Sequence, residues 1–143
     1  MTGALLVLVP TDGSDHALRA TRHVLDLAER GLSLEVHLLN VQPAVRGVAA
    51  SMVSTGDLEH YHREEGMKAL GDTLRLVEAA GLIPHAHVCV GDSGEMILAF
   101  ARRLSCELIV MGTGGLGGVT ELLLGSVARH VVSSATVPVT LVR

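Results

Sequence analysis

The residues best placed to do chemistry are nearly bare of side chains. Gly112-Thr113-Gly114-Gly115 follows directly on Glu107-Leu108-Ile109-Val110-Met111, which reads as a buried strand, and Gly125-Ser126 follows nine residues after Gly115. A buried strand that ends in glycines before a helix can turn several backbone N–H groups outward together and hold an anion. Glycine serves such a turn by taking positive φ, and it also lets a phosphate come close to the main chain. Ser126 can accept from helix N–H groups as a cap, or turn its hydroxyl to a ligand oxygen. The helix dipole adds only about 0.3–1 kcal/mol at an exposed end, so affinity needs several donors acting in concert. The competing reading is a glycine-rich connection that binds nothing.

Better-known phosphate loops do not fit. A Walker loop ends in Gly-Lys-Ser/Thr, and the only lysine is Lys68. Gly112 to Gly117 spells the dinucleotide pattern by letter, but that motif needs an acidic residue at the end of the next strand, about 20 residues on. Here the next strand, Val137 to Val142, holds no acid. Phosphoryl transfer asks for cations, metal ligands and a positioned nucleophile, and between Gly112 and Val127 the only charge is Glu121. No local Ser-His-Asp or Cys-His arrangement stands out, so no catalytic residue is expected. His85 and His87, at i and i+2, could share a metal. Without a third ligand nearby, solvent-facing alternation accounts for them more simply, and no metal site is expected.

The elements that position the glycines follow from apolar periodicity. Leu5 to Val9 is a strand buried on both faces, stopped by Pro10, and Thr11-Asp12-Gly13-Ser14 turns the chain into a helix capped by Ser14 or Asp15. Ala17, Ala20, Thr21, Val24, Leu27 and Ala28 form that helix's buried stripe. Leu34 to Val41 is the second strand, and Pro43 to Gly56 a long connection without periodicity. Asp57 would cap a helix with Met67, Leu70, Leu74 and Val77 on its core face, weakened at Gly66 and Gly71 by about 1 kcal/mol each. Pro84 to Val90 is a third strand. A helix carrying Ile97, Phe100, Ala101 and Leu104 leads to the fourth, and a helix from about Ser126 to Ser134 to an edge strand, Val137 to Val142. This alternation predicts an α/β fold, an open parallel five-stranded sheet with helices on both faces.

Composition narrows the class. The 143 residues suit a single domain, 1–143, and 48% are apolar, mostly Val, Leu and Ala. With Tyr61 and Phe100 the only aromatics and a formal net charge of −4, nucleic acid is not an expected partner. Pro10 ends the first apolar run far short of a signal peptide or membrane span, which predicts a soluble cytoplasmic protein with no membrane partner. Cys89 and Cys106 form no C-x-x-C pair and read as free thiols.

Gly112, Gly115, Gly125 and Ser126, spaced G-x-x-G, nine residues, G-S, resemble the nucleotide-binding signature of the universal stress protein family in its ATP-binding form. Val7 to Ser14 looks like that family's first strand and acidic turn, and the likeness covers essentially the whole chain. It implies a Rossmann-like sheet of the adenine nucleotide alpha hydrolase type, in strand order 3-2-1-4-5, with ATP, with or without Mg, across the switch point. Gly112, Gly115, Gly125 and Ser126 would take the phosphates, with N–H groups from Thr113, Gly114 and Val127. Pro10, Thr11 and Asp12 would meet the adenosine end, and Val41 would wall the base. Asp12 would accept from a ribose hydroxyl or only brace its turn, and Met111 would pack under the base or belong to the core. Arg129 would reach a phosphate or a partner chain. The resemblance further implies a nucleotide-sensing regulatory homodimer paired through Val137 to Val142. The alternatives are a slow ATP-hydrolysing or nucleotide-transferring enzyme, and a stress-response dimer that binds no nucleotide. Many relatives carry a polar or basic residue where this chain has Gly114, and Gly117 and Gly118 loosen the loop further.

Overall fold

The computed structural model of the chain describes residues 3–114 and 124–143. Strand and helix alternate: β1 (Leu5–Pro10), α1 (Asp15–Glu29), β2 (Leu34–Gln42), α2 (Val48–Ser51), α3 (Thr55–Ala79), β3 (His85–Val90), α4 (Ser93–Arg103), β4 (Leu108–Gly112), α5 (Ser126–Ser134) and β5 (Val139–Val142). The strands form one 5-stranded parallel sheet in the expected order, β3-β2-β1-β4-β5. β5 lies at an edge, and Pro138 just precedes it, its carbonyl accepting from the Ile109 N–H at 3.0 Å. No helix among the described residues is long and apolar enough to cross a membrane.

Successive strand side chains point to opposite faces, and the core divides accordingly. Val7, Val9, Val36, Leu38 and Val110 pack on one side with Ala20 and Val24 of α1 and Leu70 and Val77 of α3. Leu8, Leu39, Ile109 and Met111 pack on the other with Ile97 and Phe100 of α4 and Ala128 and Val131 of α5. The free thiol of Cys106 lies in this second layer. Burial above all, then the charges of Glu35 and Glu107, pushes it up to about 11, so it stays protonated at neutral pH.

Three details depart from the periodicity. The connection after Pro43 contains the short helix α2, and Ser54 rather than Asp57 caps α3. Ser54 has extended backbone, and its hydroxyl accepts from the Asp57 N–H at 3.1 Å, while Asp57 sits inside the first turn. The buried stripe of α3 is His62, Gly66, Leu70, Thr73 and Val77, and Met67 is 42% exposed. Gly66 occupies the core-facing position because α3 lies almost in contact with β3 there. A Cβ on it would come within 2.3 Å of Val88 Cγ1.

Gly66→Ala is therefore expected to destabilise the fold by about 1–3 kcal/mol through overpacking, against its gain in helix propensity. At Gly71 a Cβ would meet nothing nearer than the Arg75 guanidinium at 3.5 Å. Gly71→Ala should stabilise by up to about 1 kcal/mol, and urea unfolding of the two variants checks the opposite signs.

Candidate functional site

β1 and β4 are sheet neighbours, with Val7 beside Leu108 and Leu8 beside Ile109, yet the helices that follow them pack on opposite faces. Where two such exits diverge, a parallel sheet leaves a crevice at the strands' carboxyl ends. Here it is a cleft of about 360 Å³. Pro10, Thr11 and Asp12 from the exit of β1, Val41 from β2, Met111, Gly112 and Gly114 from the exit of β4, and Gly125, Ser126 and Val127 from the start of α5 all line it. Gly115 lies outside the described residues.

Thr113 differs from the expectation. Its N–H donates to the Val142 carbonyl at 3.1 Å and its own carbonyl accepts from Gly125 N–H at 2.8 Å, so its backbone ties β4 to β5 and to the start of α5. That N–H is engaged and does not face the cleft as a donor.

The reason for glycine also differs. Among the described residues neither Gly112, Gly114 nor Gly125 has positive φ. A Cβ on Gly112 would lie 2.6 Å from His16 Cβ and 2.9 Å from the His16 carbonyl, inside the first turn of α1. On Gly125 it would press on Gly114 Cα and the Thr113 oxygen, both at 3.3 Å. These glycines let backbone segments meet each other. His16 backs the loop: a Cβ on Gly114 would lie 3.2 Å from its Nε2. Its Nδ1 lies 3.0 Å from Arg19 Nη2, and since Arg19 can only donate, Nδ1 accepts.

The acidic turn is held from β2. Thr11 N–H donates to the Leu39 carbonyl at 2.8 Å, and Asn40 Nδ2 donates to the Thr11 carbonyl at 2.9 Å. Asn40 Oδ1 accepts in turn from Gln42 Nε2 at 2.7 Å. Gly13 at φ +84° completes the bend, and Ser14 Oγ accepts from the Ala17 N–H to cap α1. Asp12 is exposed, and its Oδ1 accepts from Ser14 N–H at 2.9 Å. It thus braces the turn with one oxygen and retains a second at the cleft rim. Met111 both lines the cleft and belongs to the core.

At the opposite rim, α5 begins at Ser126, one residue beyond its cap. The cap is Gly125, which makes no side-chain hydrogen bond, so Ser126 is the first helical residue and its hydroxyl is not the cap. An end without a side-chain cap, at the positive pole of the dipole, favours an anion. Arg129 does not line the cleft, and its Nη2 donates to the Leu124 carbonyl at 3.1 Å.

Asn40, Ser93 and Ile97 also line the cleft and were not singled out from the sequence. Asn40 carried a signal: it is a polar residue within the apolar run Leu38-Leu39-Asn40-Val41, and it is buried. Among the described lining residues Asp12 is the only charged one. The floor is apolar, from Leu39, Val41, Ile97 and Met111, and Thr11, Ser14, Ser93 and Ser126 supply hydroxyls. One carboxylate, hydroxyls and a helix end can recognise a ligand but do not form an acid–base pair. His85 and His87 stand elsewhere, on the edge strand β3.

Residues 6–143 match the model of the universal stress protein family. The chain is 33% identical to the universal stress protein MJ0531 of Methanocaldococcus jannaschii over 138 residues, 96% of this chain and 81% of that protein. Its fold is similar to the solved structure of MJ0577 from the same organism, with a TM-score of 0.83 at 28% identity, covering 99% of this chain and 96% of that one. A universal stress protein solved in complex with cAMP shares the fold at a TM-score of 0.71 and 24% identity over 99% of both chains. An Arabidopsis thaliana family protein with AMP bound does so at 0.68 and 19%, over 96% of this chain and 90% of that one.

Asn40 is the buried link between β2 and the acidic turn. Asn40→Ala leaves the Thr11 carbonyl without this donor and is expected to lower stability by about 1–3 kcal/mol, measured by urea unfolding.

Proposed function

The chain belongs to the universal stress protein family, and on that footing we propose that its cleft binds an adenine nucleotide, ATP with or without Mg, as a regulatory ligand. The observation that carries this reading is the two-ended character of the cleft. An exposed carboxylate, Asp12, stands at one rim and a helix N-terminus without a side-chain cap at the other, over an apolar floor. The volume of about 360 Å³ lies within the range of small-molecule clefts. The base lies against Val41, Leu39, Ile97 and Met111, and Asp12 takes a ribose hydroxyl. Phosphates meet the N–H groups of Ser126 and Val127 beside Gly112, Gly114 and Gly125, with Gly115 in the adjoining segment. The related structures that hold cAMP and AMP support an adenine ligand in this fold.

The reading is of binding rather than turnover, since the described lining residues supply no cation and a single carboxylate. The whole chain acts as one domain in a reducing cytoplasm, with Cys89 and Cys106 both free. It is a homodimer paired through the outer edge of β5, where Val139 and Leu141 are only half-buried and the strand has no second neighbour among the described residues of the sheet. An unpaired edge is a ready template for a second copy.

Titration calorimetry with ATP tests the ligand. Ser126→Asp puts a carboxylate where the helix dipole welcomes it, so the melting temperature should hold or rise while ATP affinity falls at least about tenfold, roughly 1.4 kcal/mol. Equal affinity in that variant, or no heat with ATP, AMP or cAMP at millimolar concentration, refutes the reading. Sedimentation equilibrium tests the dimer: Leu141→Lys is expected to shift the protein to monomer, and a monomeric parent at high micromolar concentration overturns the assembly.

A further inference from the structure

A second cluster of chemistry-bearing side chains sits at the amino ends of β2 and β3, the opposite end of the sheet from the cleft. Parallel pairing sets His37 beside His85 and Leu39 beside His87. Because side chains of a strand alternate, Glu35, His37, His85 and His87 all emerge on the face covered by α4, in line with the apolar Leu39, Val41 and Cys89. His37 Nε2 lies 2.9 Å from Glu35 Oε1, and His85 Nε2 lies 4.0 Å from the same oxygen. The other nitrogen of His37 is 2.9 Å from His87 Nε2. The His37 ring is stacked on its two neighbours, with centroids 4.7 Å from His85 and 5.2 Å from His87. His87 in turn packs on Phe100, so it is not the solvent-facing residue that alternation suggested.

Three imidazoles around one carboxylate make poor sense as packing. They occupy positions that continue an apolar stripe, and one Glu35 compensates at most one of them when protonated. They make good sense as ligands. One donor atom each from Glu35, His37 and His85 lies within 4.8 Å of the other two. Tetrahedral coordination with bonds of about 2.0–2.1 Å needs donors about 3.3 Å apart. Two of the three separations, 2.9 and 4.0 Å, bracket that value, and His85, on the edge strand with its side chain 45% exposed, has room to swing out of its stack on His37 so that the in-plane lone pairs of both rings converge on one ion.

We propose that Glu35, His37 and His85 form a binding site for a borderline divalent cation of the zinc class, with His87 as the positioning residue that orients His37. Two imidazoles and a carboxylate suit zinc, whereas magnesium and calcium call for oxygen donors throughout. The ion takes the place of the hydrogen shared between Glu35 and His37, while His37 keeps its second nitrogen hydrogen-bonded to His87. Metal-bound histidines are held in this way by an outer partner. His37 is buried to 8% side-chain exposure, which anchors the site, while Glu35 at 39% and His85 at 45% open it to solvent and leave a fourth position for water. The expectation of no third ligand fails because strand register, which brings in Glu35 and His37, is invisible between residues some fifty positions apart.

The test is calorimetric titration of the metal-free full chain with zinc chloride, together with the visible spectrum of the cobalt(II) form. One zinc per chain is expected, with intense tetrahedral cobalt bands. His85→Ala and Glu35→Gln alter half-exposed side chains, and circular dichroism confirms that they fold. Each should weaken zinc binding by more than the roughly 10–100-fold expected for His87→Ala. His60→Ala, which removes the exposed His60–Glu64 pair on α3, should change nothing. Zinc affinity unaltered by His85→Ala and Glu35→Gln, or absence of binding at sub-millimolar zinc, overturns the proposal.

Discussion

The structure depends on one constraint: β1 is paired in parallel on both sides, to β2 over its full length and to β4, while the chain leaves β1 and β4 toward opposite faces. Two neighbouring strands whose exits diverge cannot close the space above them, so the cleft follows from topology before any side chain is chosen. What the side chains add is asymmetry. The exit of β1 is a tight, polar, hydrogen-bonded bend held by Asn40, and the exit of β4 is glycine-rich backbone that leads to a helix end without a side-chain cap.

The glycines show how one sequence feature answers to more than one force. Gly112 stands where α1 crosses β4 at a separation no Cβ would permit, and Gly125 stands where its backbone meets Thr113 and Gly114. A ligand that approaches the main chain here uses a surface already stripped for packing. Gly66 belongs to the same group: it is the point at which α3 touches Val88 of the edge strand. Close approach of helix to sheet is thus achieved by removing side chains at isolated contacts, in a protein whose largest fully buried side chains are Leu, Ile and Val.

Apart from the short helix α2, the order of elements, the strand bounds to within two residues and the α1 stripe from Ala17 to Val24 were legible, because they are written in local apolar spacing and in proline and glycine punctuation, while Leu27 and Ala28 of the expected stripe are only partly buried. Most of the expected cleft lining was legible as well, since strand exits at a switch point can be found along the chain. What escaped was information held only in three dimensions. The face of α3 was misjudged at Met67 because glycine carries no apolar signature although it occupied the buried position. Thr113 was misassigned because its N–H meets the carbonyl of Val142, on a strand 29 positions later in the chain. The histidine cluster combines two strands whose register no local pattern specifies.

The floor of the cleft is also the hydrophobic core. Leu39, Ile97, Met111 and Ala128 line the cavity and at the same time join the sheet to α4 and α5. An evolving lineage that reshaped this floor would loosen its own folding, whereas Ser126, exposed at the rim and not the helix cap, can be exchanged with little structural consequence, and Asp12 at the cost of one hydrogen bond to Ser14. The shape of the floor is in this sense inherited with the architecture, and diversification among descendants is channelled toward the polar rims of the cleft.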